Sequence, residues 1–261
     1  MFKLFIKTAL LVFITFVFGT CATAQAESSV DTLRVGVAPY YPPIIFKYEG
    51  KIAGVEADLA HRLAKELGKK VRFIEMKRQE LIPKLLARKT DIIMSGMSIT
   101  QARAIRVNFS DQYLRSGLMP MMRFKDAAKY DSNESIKQGF LGIGVVEGTT
   151  SEVYARKNFP KAHRITALPN AVDGAILLKN RTIDIFVHDA PSIMWLVSEN
   201  ETHLTSHWET FNTEDLAWGV RRDDQELLDQ VNGILKKWKN DGTLTQMLLK
   251  WLPAKYLEHF N

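Results

Sequence analysis

The sequence predicts an α/β protein built as two similar lobes joined by a two-strand hinge, and three observations carry that reading. The order strand, helix, strand, helix, strand occurs twice along the chain, once within residues 33–94 and again within residues 141–189. Two further segments, 109–123 and 216–220, are placed so that the chain leaves the first unit and later returns to it. The chain has 261 residues and one cysteine, so a buried core must hold it together without disulfides. Each unit reads as a small parallel sheet covered by helices, which binds ligands at the carboxyl ends of its strands.

At the amino terminus, Lys3 and Lys7 precede an apolar run from Ala9 to Phe18, followed by Ala22-Thr23-Ala24 and Ala24-Gln25-Ala26, each with small-x-small cleavage spacing. Residues 1–26 are therefore expected to be a secretory signal peptide. Cys21 lies inside it, and Phe18-Gly19-Thr20 is a poor approach to a lipidated cysteine, which makes lipid anchoring the lesser reading. Cleavage after Ala26 leaves 235 residues without a thiol and lowers the formal charge from +6 to +4, because only Lys3 and Lys7 are lost. Basic residues are interspersed with acids, which argues against nucleic-acid binding. No later apolar stretch approaches 18 residues.

In the first unit, Leu33 to Val37 reads as a strand broken by Ala38-Pro39-Tyr40-Tyr41-Pro42-Pro43. Gly54 to Leu67 is an amphipathic helix with Val55, Leu59, Leu63 and Leu67 four apart, stopped by Gly68. A strand at Val71–Ile74, a helix from Gln79 to Arg88 and a strand at Asp91–Met94 complete it. The second unit repeats the cadence with Leu141–Val146, a polar loop from Glu147 to Ser151, helical residues 152–157, Arg164–Thr166, the helix Ala171–Lys179 and a strand ending at Val187-His188-Asp189. The first lobe thus takes residues 27–115 with 218–261, and the second takes 116–217. The tail, with Leu227, Leu228, Val231, Ile234, Leu235 and Trp238 on one helical face, is expected to pack on the first lobe.

The candidate site begins where the strand at Asp91 gives way to small residues. Ser95 and Gly96 end it and let a ligand approach the backbone; Thr100 is a plausible N-cap, and Arg103 falls in the helix's first turn. A cation there opposes the helix dipole and asks for an anionic partner, either a ligand carboxylate or phosphate or an acid such as Asp111. No nucleophile-base triad, metal-ligand cluster or phosphate loop is visible, so no cofactor or metal is expected.

Gly54-Val55-Glu56-Ala57-Asp58-Leu59, then Asp91 to Thr100 with Arg103 and Phe109-Ser110-Asp111, and finally Glu147-Gly148-Thr149-Thr150-Ser151-Glu152 carry a resemblance to the extracellular solute-binding proteins of bacterial amino-acid ABC transporters, family 3. The resemblance runs from about Leu33 to Pro253. It implies a fold like that of type II periplasmic binding proteins, a periplasmic monomer that closes on one amino acid, and delivery to an inner-membrane permease. By position it implies that Arg103 clasps the ligand α-carboxylate, helped by Ser98, Thr150 and the backbone at Ser95 and Gly96. Asp189 would receive the α-ammonium, and Tyr41 would cover the ligand. Local readings remain beside these: Asp189 as an N-cap, Thr149 with Glu152 as a capping box, Tyr41 as a packed aromatic, Ser98 as a turn residue and His188 as structural.

Departures from the family pattern bear on the ligand. Ala38 stands where binders of cationic side chains often have an acid, Arg78 where a second aromatic wall is common, and Val146 where some relatives have a polar contact. Polar uncharged, acidic or apolar side chains are thus expected ahead of cationic ones, with Arg78 facing either ligand or solvent. The same fold also resembles periplasmic cyclohexadienyl dehydratases, for which Glu147 is the nearest acid on sequence, and a ligand sensor for a membrane receptor is a third reading.

Overall fold

The structure, a computed structural model, describes residues 31–260. The expected signal peptide and Cys21 lie outside the described residues.

From β1 (Thr32–Val37) the chain passes through the short antiparallel strands β2 (Tyr40–Tyr41), β3 (Ile45–Tyr48) and β4 (Lys51–Ala53) into helix α1 (Val55–Glu66). Gly68, at φ 67°, turns it into β5 (Lys70–Glu75). Helix α2 (Leu81–Leu86), β6 (Ile92–Ser98), α3 (Gln101–Ala104) and β7 (Asn108–Phe109) complete the first pass. The helix expected over Gln79–Arg88 is shorter than its pattern: Arg78–Glu80 form a 3-10 turn, and Arg88 adopts φ 57°.

Strands β8 (Leu114–Ser116) and β9 (Leu118–Arg123) then carry the chain into the second lobe. There α4 (Asn133–Lys137), β10 (Gly142–Val146), α5 (Thr150–Asn158), β11 (Arg164–Leu168), α6 (Ala171–Lys179), β12 (Ile185–Asp189), α7 (Ala190–Ser198) and β13 (Leu204–Thr205) follow. Strand β14 (Glu214–Val220) returns, and α8 (Gln225–Asn240), α9 (Thr243–Leu249) and α10 (Ala254–Phe260) finish the described chain.

The two sheets are built alike. In the first, β1 lies between β5 and β6, parallel to both; in the second, β10 lies between β11 and β12, again parallel to both. Each sheet is then extended by an antiparallel strand delivered from the crossing, β14 beside β6 and β9 beside β12. The crossings pair with each other, Glu214 opposite Ser116, Asp215 opposite Arg115 and Leu216 opposite Leu114. Two adjacent, hydrogen-bonded strands therefore connect the lobes, the geometry of a hinge.

Strand β6 differs from the sequence expectation. It was expected to end at Ser95-Gly96, yet it runs on through Ser98 with all seven residues buried. The reason is its neighbour: β14 pairs Leu216 with Ser98 and Ala217 with Met97, supplying ladder hydrogen bonds beyond the glycine. The register shifts between Ala217 and Gly219, and across that irregularity Gly96 adopts φ 57°. Ser95, Gly96 and Ser98 are thus strand residues.

Helix α1 buries Val55, Leu59 and Leu63 against the first sheet, and α8 adds Leu227, Leu228, Val231, Leu235 and Trp238. The tail packs on the first lobe, where Lys237 pairs with Glu66 at 3.0 Å and Trp251 Nε1 donates to Asp58 at 2.8 Å. One apolar cluster runs from Val35 and Leu59 through Trp218 and Met119 to Phe186 and Ile193, so the core itself crosses the hinge.

Leu63 is fully buried in that cluster. Leu63→Ala is expected to lower stability by about 2 to 5 kcal/mol in a denaturant titration, the range for emptying a packed leucine site. A loss below about 1 kcal/mol would contradict this account of the core.

Candidate functional site

The carboxyl ends of both sets of parallel strands meet across a closed cleft, bridged at three points. The Tyr41 hydroxyl donates to Asp189 Oδ2 at 2.5 Å, Arg103 Nη2 donates to the Gly148 carbonyl at 3.4 Å, and Thr150 Oγ1 donates to Glu214 Oε2 at 2.9 Å. The first two join residues of different lobes, and the third joins the second lobe to the start of the returning hinge strand.

Tyr41 is placed by the turn after β1 and is 1% exposed. Its ring lies against β6 at Gly96, where an added β-carbon would fall 2.4 Å from Tyr41 Cε1. Only glycine meets both demands here, a positive φ and a side chain of zero size. Burial, with the Asp189 charge behind it, pushes the Tyr41 hydroxyl well above its ordinary pKa, so it acts as a donor.

Asp189 ends β12 in the N-cap position of α7, but its side chain makes no capping hydrogen bond. One oxygen accepts from Tyr41; the other, Oδ1, is buried without a hydrogen-bond partner. Burial raises the Asp189 pKa, while the Tyr41 bond and the charges of Arg78 and Arg103 pull the other way. A buried acceptor left open is costly in a finished core and useful where a cation is to bind. His188, beside it, has its Nδ1 3.7 Å from that same Oδ1 and is driven down to a pKa of about 3, chiefly by burial. It is therefore a neutral imidazole and supplies Asp189 with no charge.

Arg103 is held where the sequence suggested, with Thr100 as N-cap accepting from the Arg103 N–H at 3.3 Å. Its guanidinium donates to the carbonyls of Ser98, at 2.9 Å, and Gly148, at 3.4 Å; the alternative ion pair with Asp111 does not form. Burial and the neighbouring charge of Arg78 lower its pKa to about 10, so it stays cationic at neutral pH.

The remaining expected residues divide. Thr150 Oγ1 donates to Glu214, and Asn212 Nδ2 adds a bond to its Oε1 at 3.0 Å, while the buried Ser98 offers its carbonyl to Arg103. Ser95 and Gly96 are engaged inside the first lobe instead: Ser95 Oγ accepts from the Ala38 N–H at 2.9 Å, and the Gly96 N–H donates to Glu56 Oε2 at 2.6 Å. Their hydroxyl and amide are thus committed to the lobe's own framework, and Gly96 contributes space. Thr149 does not form the capping box with Glu152, because its hydroxyl turns back to the Val146 carbonyl at 2.6 Å while Glu152 accepts from the Gly148 N–H at 2.9 Å.

Sequence reading missed Glu214 and Glu56 as site groups. Glu214 opens the returning hinge strand, and an acid just ahead of Leu216-Ala217-Trp218 was the available signal. Glu56 shares the buried side of α1 with Ala60 and Ala64 at four-residue spacing, a stripe narrow enough to admit it. It is fully buried under Gly96, and burial raises its pKa to about 8 despite the Gly96 bond.

This raised value fixes a pH signature. Glu56 holds its proton in the folded protein up to about pH 8, whereas the unfolded chain releases it near the ordinary carboxylate value of 4.5. Its contribution to stability is therefore complete below 4.5 and declines as pH rises towards 8. Denaturant titrations should show the stability of Glu56→Gln relative to the unsubstituted protein rising steadily from pH 5 to 8. A difference that is flat across this window would place the Glu56 proton elsewhere.

Comparison with known proteins adds an independent finding. Residues 33–254 match the family model described as bacterial extracellular solute-binding proteins, family 3. The L-cystine-binding protein TcyJ of Escherichia coli strain K12 is 26% identical over 85% of this chain and 83% of its own length. The ABC transporter arginine-binding protein 1 of the same strain is 29% identical over 87% of this chain and 93% of its own. Among solved structures, the ancestral amino acid-binding protein AncCDT-1, described as a precursor of cyclohexadienyl dehydratase, is similar with a TM-score of 0.78 and 36% identity, covering 84% of this chain and 95% of that one.

Proposed function

Because this chain belongs to the bacterial extracellular solute-binding proteins, family 3, we propose that it binds one free L-amino acid between its lobes and, in the periplasm, presents it to the permease of an ABC transporter. The observation that carries this reading is the pairing of opposite, incompletely satisfied charges across the cleft. Among the described residues Arg103 is a buried cation whose guanidinium bonds only main-chain carbonyls, and Asp189 is a buried carboxylate with one open oxygen on the other lobe. A zwitterion answers both.

In this reading the α-carboxylate takes the Arg103 fork in place of its long bond to Gly148, with the hydroxyls of Ser98 and Thr150 beside it. The α-ammonium takes Asp189 Oδ1 while Tyr41 keeps Oδ2 and covers the ligand. Ser95 and Gly96 hold the floor on which Tyr41 rests. Opening at the β8–β14 hinge would break the cross-cleft bonds and admit ligand; ligand contributes the contacts that favour the closed state. Ala38 stands where binders of cationic side chains often have an acid, which supports polar uncharged, acidic or apolar side chains ahead of cationic ones.

An enzymatic reading is kept in view by the AncCDT-1 likeness and tested directly. Glu147, its candidate acid on sequence, is exposed at the rim of a cavity near Arg78. Binding without turnover is expected, and conversion of prephenate or arogenate by the purified protein would replace the transport reading.

Two variants test the site. Arg103→Ala should cost about 2 to 5 kcal/mol of amino-acid binding by calorimetry, the range for truncating one partner of a buried charge pair. Asp189→Asn should lose affinity well beyond any change in melting temperature, because the side chain makes no cap bond for α7 to lose. Affinity within about threefold of the unsubstituted protein, under 1 kcal/mol, would remove Asp189 from the ammonium role.

Closure has its own readout. Small-angle scattering of ligand-free protein should show a larger radius of gyration that falls on saturation with ligand. Superimposable profiles would rule out ligand-driven closure.

A further inference from the structure

The second cation described at the cleft, Arg78, has no role in the α-carboxylate and α-ammonium contacts. Its guanidinium carbon lies 5.9 Å from the centroid of the Tyr41 ring, the ring that covers the proposed ligand. It lines two cavities at once, one of about 510 Å³ shared with Tyr41, His188, Lys77, Glu80 and Glu147, and a smaller one that holds Arg103. Its charge is felt by Asp189, Arg103, His188 and Glu56. The side chain is thus half-buried along the site, and among the described residues no carboxylate lies within ion-pair distance, 4.0 Å, of its guanidinium.

The polar groups that face Tyr41, Asp189 and Arg103 can be paired off one by one. A bound amino acid's own zwitterion pairs with Arg103 and Asp189. Glu214 has its two oxygens occupied by neutral donors, Thr150 and Asn212, and burial pushes its pKa up. His188 is neutral. Arg78 is what remains without an acceptor: a cation over an aromatic face, its guanidinium making no hydrogen bond or ion pair among the described residues, beside a cavity whose rim also carries Lys77, Glu80 and Glu147. An apolar side chain would cover those donors without satisfying them, and a cationic one would meet like charge. An amide offers Arg78 one acceptor and no charge. A carboxylate offers two acceptors in the planar geometry a guanidinium matches, together with a charge opposite to that of Arg78.

The geometry points to Arg78 as the residue that selects the ligand's side chain, and to an amino acid whose side chain ends in a carboxylate as the ligand class. This rests on the amino-acid reading of the cleft and narrows it. The nearby Tyr41 face holds the guanidinium in place while its edge donates to the ligand, and Ala38 leaves room beside it.

The test uses protein purified under denaturant and refolded free of ligand, titrated calorimetrically with L-aspartate, L-glutamate, L-asparagine, L-glutamine, L-leucine and L-arginine. At least one acid should bind ten times or more tightly than its own amide, with leucine and arginine weaker still. Arg78→Gln should reduce that acid-to-amide ratio to within about threefold while the amide's own affinity changes little. Arg78→Lys, which keeps the charge and loses the fork, should give an intermediate ratio. If an amide, leucine or arginine binds as tightly as the best acid, and that binding is lost in Arg103→Ala, the amino-acid reading stands and the Arg78 assignment is overturned. Equal ratios in Arg78→Gln and the unsubstituted protein overturn it as well. If none of the six amino acids binds to folded protein, the amino-acid reading fails first, and the Arg78 assignment falls with it.

Discussion

The absence of a side chain at Gly96 is the constraint on which most of the site depends. The Tyr41 ring stands where a β-carbon would be, and only there can its hydroxyl reach Asp189 on the opposite lobe. The same residue takes φ 57° where β6 and β14 fall out of register, so the close approach and the irregular ladder share one position. Beneath it, Glu56 accepts the Gly96 N–H from the first turn of α1. A strand irregularity, an aromatic cover and a buried acid are thus tied to one glycine, and a larger residue would displace all three.

From that point the electrostatics of the cleft follow by burial. Arg103, Asp189, His188 and Glu56 are all moved from their ordinary ionisation in the direction desolvation dictates: the bases down, the acids up. His188 ends neutral and Arg103 stays charged, because a guanidinium starts far above neutrality and an imidazole starts near it. The site thereby keeps cations at Arg103 and Arg78 while the neighbouring imidazole contributes none. A cleft wired this way discriminates by charge, since a buried group left unpaired costs several kcal/mol.

The hinge has a different physical basis. Each lobe's parallel sheet needs a partner on the free edge of its third strand, β6 or β12, and the chain supplies it with a strand arriving from the other lobe. The crossings are therefore integral parts of both sheets, and they pair with each other only over Leu114–Ser116 and Glu214–Leu216. The apolar cluster continues across that narrow ribbon and packs the two lobes together.

Much of this was legible in the sequence. The repeated strand and helix order set two like lobes; the periodicity of Val55, Leu59 and Leu63 set the buried face of α1; and Thr100 with Arg103 set a helix start at the site, because these are local properties of neighbouring residues. Tertiary structure decided the rest. The extension of β6 through Ser98 came from a partner strand more than a hundred residues away, which no local pattern encodes. The engagement of Ser95 with Ala38 and of Gly96 with Glu56 turned two expected ligand-facing groups inward. The placement of Glu214 and Arg78 at the cleft, and the open oxygen of Asp189, exist only once two lobes are brought face to face. Their charges act across space, and sequence separation carries no record of that distance.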